Sequence, residues 1–280
     1  MHRLLIQSLR WLDVRMVYFV TSLFVIPVCL LLNTNHSRTS AYHFYRHRLR
    51  YGRLRAVWSV YINHCLFSQV VVDRFAVFAG KHFHLDIEGY EHFRQLESEP
   101  KGFMIFSSHV GCYEVAGYSL ISKTKRFNAL VFGGEKATVM AGRQEVLGHH
   151  NIRMIPVKED MSHLFLVNEA LDNNEIMSMP ADRIIGSAKS VTSVFMDAEA
   201  RFPAGPLSVA TMKGLDVLAV NVMKTSAKHY KVYVARLSYD KQAPRRQQIQ
   251  QLADSYVKEL EDRVRQYPLQ WFNFYDFWSR

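Results

Sequence analysis

Near its start the chain runs from Met16 to Leu32 (MVYFVTSLFVIPVCLLL) without a single charge. Arg10 and Arg15 precede this run, and NTNHSRTS follows it in place of a small-x-small cleavage site. That combination predicts a retained anchor rather than a cleaved signal peptide. A spanning helix wants roughly 20 apolar residues, and Pro27 interrupts the run. The segment therefore either spans a bilayer or lies half-inserted as a monotopic anchor. The bland alternative is a buried core helix.

Over 41–80 bases alternate with aromatics and aliphatics (AYHFYRHRLRYGRLRAVWSVYINHCLFSQVVVDRFAVFAG). Arg46, Arg50 and Arg53 recur at helical spacing, while Val57, Tyr61 and Cys65 form an apolar stripe. This predicts a basic amphipathic helix leading into a buried one. The row of bases after the apolar run favours a cytoplasmic C-terminal side.

Beyond Gly80 the pattern changes to short apolar runs separated by helical stretches. Predicted strands lie at 84–87, 103–107, 128–132, 153–156, 176–179, 193–196, 217–223 and 230–237. Predicted helices lie near 112–122, 138–149, 161–173, 206–214 and 245–267. Strands spaced by helices of about ten residues predict an α/β fold. The expected architecture is a mixed, largely parallel sheet flanked by helices, formed by one domain over 81–280. Residues 1–80 would form a membrane-associated helical segment in front of it.

Composition adds a sign to this picture. Lys and Arg number 35 against 25 acidic residues, a formal net charge of +10. Such an excess points to anionic partners: phospholipid head groups, nucleic acid or a phosphate-bearing ligand. The 41–80 stretch would suit an RNA-binding arm, but no stacking or groove-reading motif accompanies it, so membrane lipid is the expected partner and nucleic acid is not. Cys29, Cys65 and Cys112 are widely separated, which fits neither a disulfide framework nor a zinc site.

The chemistry concentrates in FMIFSSHVGCYEVAGYSL. An apolar run ends in Ser107 and Ser108, His109 follows, and a turn through Gly111 leads toward a predicted helix carrying Glu114. The C-terminal edge of a parallel strand is where open α/β sheets place ligands. A carboxylate on one imidazole nitrogen fixes the tautomer and leaves the other nitrogen to take a proton. His109 as general base and Glu114 as its orienting partner could then activate a hydroxyl without a serine or cysteine nucleophile. The structural alternative is a chance H-x4-E in a chain with 13 histidines. A Cys112 nucleophile lacks a papain-like context. The adjacent His149 and His150 do not share a helix face, and Gly133–Gly134 is not followed by the Lys of a P-loop.

The block SSHVGCYE resembles the H-x4-D/E motif of the glycerolipid and lipid A late-acyltransferase superfamily. Arg143 in FGGEKATVMAGR is similar to the basic residue of that family's second block, and IMSMPADR resembles its strand-end aspartate block, with Asp182 and Arg183. SVFMDAEARFPAGPLSVATMKGLDVLAV looks like a later block, with Gly205 at its F-x-G-type turn. The resemblance covers roughly 100–225. It implies an O-acyltransferase at the cytoplasmic face of a bacterial inner membrane, with His109 and Glu114 catalytic. Arg143, Asp182, Arg183 and Gly205 would bind donor or acceptor. It implies no resident cofactor; the donor would be acyl carrier protein or coenzyme A thioester, with acyl carrier protein the favoured partner. The acceptor would be a membrane lipid, lipid A-like first. The chain ends YPLQWFNFYDFW, without the His-Arg-Arg with which lipid A acyltransferases tend to close. The ending looks instead like a branch tied to aryl-polyene or flexirubin-type lipids, which widens the acceptor to other lipids. A catalytically silent lipid-binding protein is the competing expectation. The terminal aromatics are expected to pack in the core, with some interfacial contribution.

Overall fold

The computed structural model describes residues 2–32, 36–112, 120–131, 151–158, 160–184 and 189–278. Its centre is a seven-stranded sheet. The strands are β1 (His84–Glu88), β2 (Phe103–Gly111), β3 (Phe127–Val131), β4 (Ile152–Pro156), β5 (Ile176–Pro180), β8 (Val217–Lys224) and β9 (His229–Leu237). Their order is β1-β9-β8-β2-β5-β3-β4. Every neighbouring pair is parallel except β8 with β9. A separate hairpin pairs β6 (Ser190–Phe195) with β7 (Ala198–Pro203).

β2 lies near the middle of the order, between β8 and β5, and its side chains are buried on both faces. Phe103 and Ile105 enter one apolar cluster and Met104 and Phe106 the other, the alternation that a strand's two-residue period imposes. A strand buried on both sides reads as a continuous apolar run, as Phe103–Phe106 and Val217–Val220 do.

Helices cover the sheet. α1 (His2–Trp11), α2 (Val14–Val20), α3 (Ile26–Leu31), α4 (Ser37–His43) and α5 (Arg53–Phe78) precede it. α6 (Tyr90–Ser98), α7 (His163–Asp172), α8 (Ala204–Met212) and α9 (Arg245–Gln266) follow in order. A π turn (Thr21–Val25) joins α2 to α3, so Val14–Leu31 forms one 18-residue apolar helix. Only 17% of it is buried, which removes the core-helix alternative.

The predicted elements hold with three differences. The basic helix expected across 41–80 is broken, because Arg50 adopts φ 55° and Tyr51 folds back to donate to the Tyr45 carbonyl at 2.9 Å. α6 and β7 were not predicted; β7 alternates, with Glu199 and Arg201 facing out, but the small Ala198 and Ala200 on its other face give a weak apolar signal. The predicted stripe on α5 is split, with Cys65 buried and Val57 exposed. The helices predicted at 112–122 and 138–149 fall largely or wholly outside the described residues.

Candidate active site

β2 does not stop at Ser107. It continues to Gly111 through a break in register: Ser107 pairs with Val220 and Gly111 with Val222. Extra residues on one strand make a bulge, which kinks the strand and re-aims side chains. His109 sits on that bulge rather than just beyond a strand, as the sequence reading had it. The bulge is fastened on both sides. Ser108 donates to Asn221 Oδ1 at 2.6 Å while accepting from the Val110 amide at 3.3 Å, and Tyr256 donates to the Ser107 carbonyl at 3.1 Å. Gly111 takes φ 68°, and a Cβ there would stand 1.9 Å from the Val222 carbonyl oxygen. Only glycine fits such a left-handed, tightly overlain position.

The neighbouring strand supplies the partner. β5 ends at Pro180, and the Ala181 amide donates to the Ser107 carbonyl at 3.0 Å. This contact places Asp182 beside His109. Asp182 Oδ1 lies 2.9 Å from His109 Nδ1, and Oδ2 accepts from the His109 backbone amide at 2.7 Å. The carboxylate is 1% exposed and the imidazole 22%. Burial pushes the Asp182 carboxyl up, but the His109 charge and hydrogen bonds, with Arg183 behind them, hold it below its ordinary value of 3.8. An ionised carboxylate on Nδ1 fixes the tautomer with that nitrogen protonated, so Nε2 is the basic nitrogen.

The C-terminal segment closes over the pair. The Phe272 amide donates to the His109 carbonyl at 3.2 Å, and Val110 bridges to Trp271. Arg183 donates to the Phe272 carbonyl at 2.6 Å and lies 5.6 Å from the Tyr275 ring centre. Its Nε–H is buried without a hydrogen-bond partner among the described residues. Trp271, Phe272 and Phe277 are buried, so the terminal aromatics pack in the core as expected.

Of the predicted site residues, the structure brings together His109, Asp182 and Arg183. Asp182 was expected to serve donor or acceptor binding, yet both its oxygens are taken up by His109. Gly205 sits exposed in the first turn of α8, where an added Cβ would meet nothing within 4 Å. Glu114 and Arg143 lie outside the described residues. The sequence reading missed the Asp182–His109 bond, since 73 residues separate the two and the nearer Glu114 offered a partner. It also missed a buried polar cluster on the far side of Gly111. There Lys224 and Asp73 form an ion pair, Tyr18 and Tyr230 donate to the same carboxylate, and Lys224 Nζ reaches the Tyr18 hydroxyl at 3.1 Å. Single charges inside the apolar runs VVVD and VNVMK were the available signal.

The family model described as bacterial lipid A biosynthesis acyltransferase matches residues 76–280. Among solved structures, the chain is similar to the 1-acyl-sn-glycerophosphate (LPA) acyltransferase PlsC from Thermotoga maritima. That alignment has 13% identity and a TM-score of 0.41, covering 97% of this chain and 99% of that one. No curated protein matches.

Proposed function

The chain belongs to the bacterial lipid A biosynthesis acyltransferase family, and from that premise we propose that it esterifies a hydroxyl of a membrane lipid with a fatty acyl group. The donor is an acyl thioester of acyl carrier protein or coenzyme A, and a lipid A-like molecule is the first acceptor to test. The observation that carries this reading is the hydrogen bond of buried Asp182 to His109 Nδ1 at 2.9 Å.

In the proposed reaction the acceptor hydroxyl approaches His109 Nε2. Its oxygen attacks the thioester carbonyl carbon as its proton passes to Nε2. The imidazolium that forms is stabilised by Asp182, whose ionised form the site already favours. The C–S bond then breaks, the ester is released, and the thiolate recovers the proton. Glu114 is proposed as a second carboxylate supporting that positive charge. Arg143 and Arg183 are proposed to hold phosphate groups of donor or acceptor, and the uncommitted Nε–H of Arg183 supports the latter. Gly205 is proposed to contribute to substrate binding from the first turn of α8. The division of labour places membrane contact in residues 1–80, at the cytoplasmic face of the inner membrane, and chemistry in 81–280.

The test is an acyl-transfer assay in mixed micelles with hydroxylated lipids as acceptors, using long-chain acyl thioesters of both carriers. Ester product from the wild type, reduced about 10²–10⁴-fold in His109→Ala, is the expected result. Equal turnover by the variant would contradict the mechanism. Absence of product from folded wild type with every donor and acceptor would contradict the activity.

A further inference from the structure

The chain from Pro268 to Phe272 passes over His109 outside the sheet, joined to β2 through the bridge of Val110 to Trp271. Buried backbone in such a segment must find its hydrogen bonds away from a ladder. Here they come from side chains of distant elements. The Tyr45 hydroxyl, in the turn after α4, donates to the Pro268 carbonyl at 3.1 Å. Asn63 of α5 donates twice through Nδ2, to the Leu269 carbonyl at 2.9 Å and the Trp271 carbonyl at 3.1 Å. The amide thus straddles Gln270, whose own side chain holds the Lys224 backbone.

Asn63 is 1% exposed, and both its partners are carbonyl oxygens, so the nitrogen must be the atom that faces them. Its Oδ1 is buried without a hydrogen-bond partner among the described residues, which leaves the amide acting as a pair of donors. Apolar packing accompanies it: Phe67, one turn further along α5, lies 5.3 Å from the Phe272 ring and 5.1 Å from that of Phe274. Burial of this kind holds the segment down but has no direction; hydrogen bonds, which do, fix where the backbone stands. The Trp271 carbonyl that Asn63 holds shares one peptide unit with the Phe272 amide, and that amide donates to the His109 carbonyl at 3.2 Å. A peptide unit is planar and rigid. Asn63 and the His109 backbone therefore grip the two ends of a single stiff plate, and hydrogen bonds in such a chain polarise and strengthen one another.

We propose that Asn63 is a positioning residue for the reaction: through the Trp271–Phe272 peptide it sets the backbone of His109, and hence where Nε2 meets the acceptor hydroxyl. The inference rests on the acyl transfer proposed above, with His109 as base. Asn63 touches neither substrate nor imidazole and acts wholly through the segment it holds. A displacement of about 1 Å at a reacting group can cost 10²-fold in rate, so a loosened plate has a kinetic consequence even while the aromatics stay packed.

The test substitutes Asn63 in the full-length chain and reads turnover with a palmitoyl thioester of either carrier and the micellar hydroxylated lipid that wild type esterifies fastest. Asn63→Leu is close in size and removes both donors. Asn63→Ser is too short to span both carbonyls yet leaves room for a water, and replaces it if Asn63→Leu does not melt cooperatively. Per folded molecule, kcat is expected to fall about 10–10²-fold. The separating readout is the same substitution made in His109→Ala and scored on residual turnover. Positioning acts through the imidazole, so there the loss shrinks to less than about three-fold, whereas a structural defect costs the same factor in both backgrounds. Equal factors overturn the inference, as does a single variant with wild-type kcat. Loss of cooperative melting in both Asn63 variants assigns the residue to folding and overturns it too. Absence of product from wild type overturns the acyl-transfer reading and this inference with it; wild-type turnover that Asn63 substitution leaves intact overturns this inference alone.

Discussion

Asp182 presents a carboxylate almost sealed from water, and both of its oxygens serve one histidine. Its pKa in the folded protein is lowered, so the sign of its stability contribution is fixed. The contribution is present above the ordinary value of 3.8 and is lost as pH falls through the lowered folded value. Wild-type unfolding free energy should therefore fall more steeply in acid than that of Asp182→Asn, as followed by denaturant titration; parallel pH profiles would contradict the assignment. The same variant removes the charge that stabilises an imidazolium, and kcat should fall about 10²–10⁴-fold with a smaller change in KM. Gly111 sets a second limit. Alanine there meets the Val222 carbonyl and adopts a left-handed conformation costing at least about 1–2 kcal/mol, so Gly111→Ala should lower both melting temperature and activity. Full stability in that variant would show that the bulge is not constrained as described. His109 was legible because a histidine following an apolar strand stands out. Its Asp182 partner was not, because the contact depends on β2 and β5 being neighbours, a fact of topology that local spacing does not carry.

At the scale of elements, the buried cluster between α2, α5 and β8 joins the apolar helix to the central sheet. Burial raises the Asp73 carboxyl and lowers the Lys224 amine, each against the pull of its partner. Such a pair is costly to break singly, because the remaining charge is stranded away from water. Lys224→Met should destabilise the protein by about 3–5 kcal/mol, measured by chemical denaturation in detergent. Asp73→Leu/Lys224→Met should recover much of that loss, and a single-variant cost near zero would refute the ion pair. The backbone of Lys224 is also gripped by Gln270, which accepts from its amide at 2.9 Å and donates to its carbonyl at 2.8 Å. One strand end thus connects the apolar N-terminal helix, the sheet and the C-terminal segment that covers His109. Most strands were readable from their apolar runs, since burial on both faces leaves little ambiguity. The broken helix at Arg50 was not, because a local turn, with Arg50 left-handed and the Tyr51 amide returned to the Tyr45 carbonyl, interrupts a helical spacing of bases with no glycine at the left-handed position to mark it.

For the whole molecule, the exposed apolar residues of Val14–Leu31 share a surface with those at the start of α5. The proposed site lies where β2 and β5 end, beneath the C-terminal aromatics. Trp271 stacks edgewise on Phe44, Phe195 and Phe277 at centroid distances of 4.7, 5.5 and 5.4 Å. The tail that departs from the usual family ending is therefore a structural closure of the site. Family membership supports acyl transfer; His109 is its proposed base and a membrane lipid its proposed acceptor. Mass spectrometry of membrane lipids, comparing wild-type cells, a deletion strain and that strain carrying His109→Ala at equal protein level, tests this most directly. A lipid species should lose one ester-linked acyl chain in the deletion strain and stay deficient with the variant. Full restoration of that chain by His109→Ala would contradict the account.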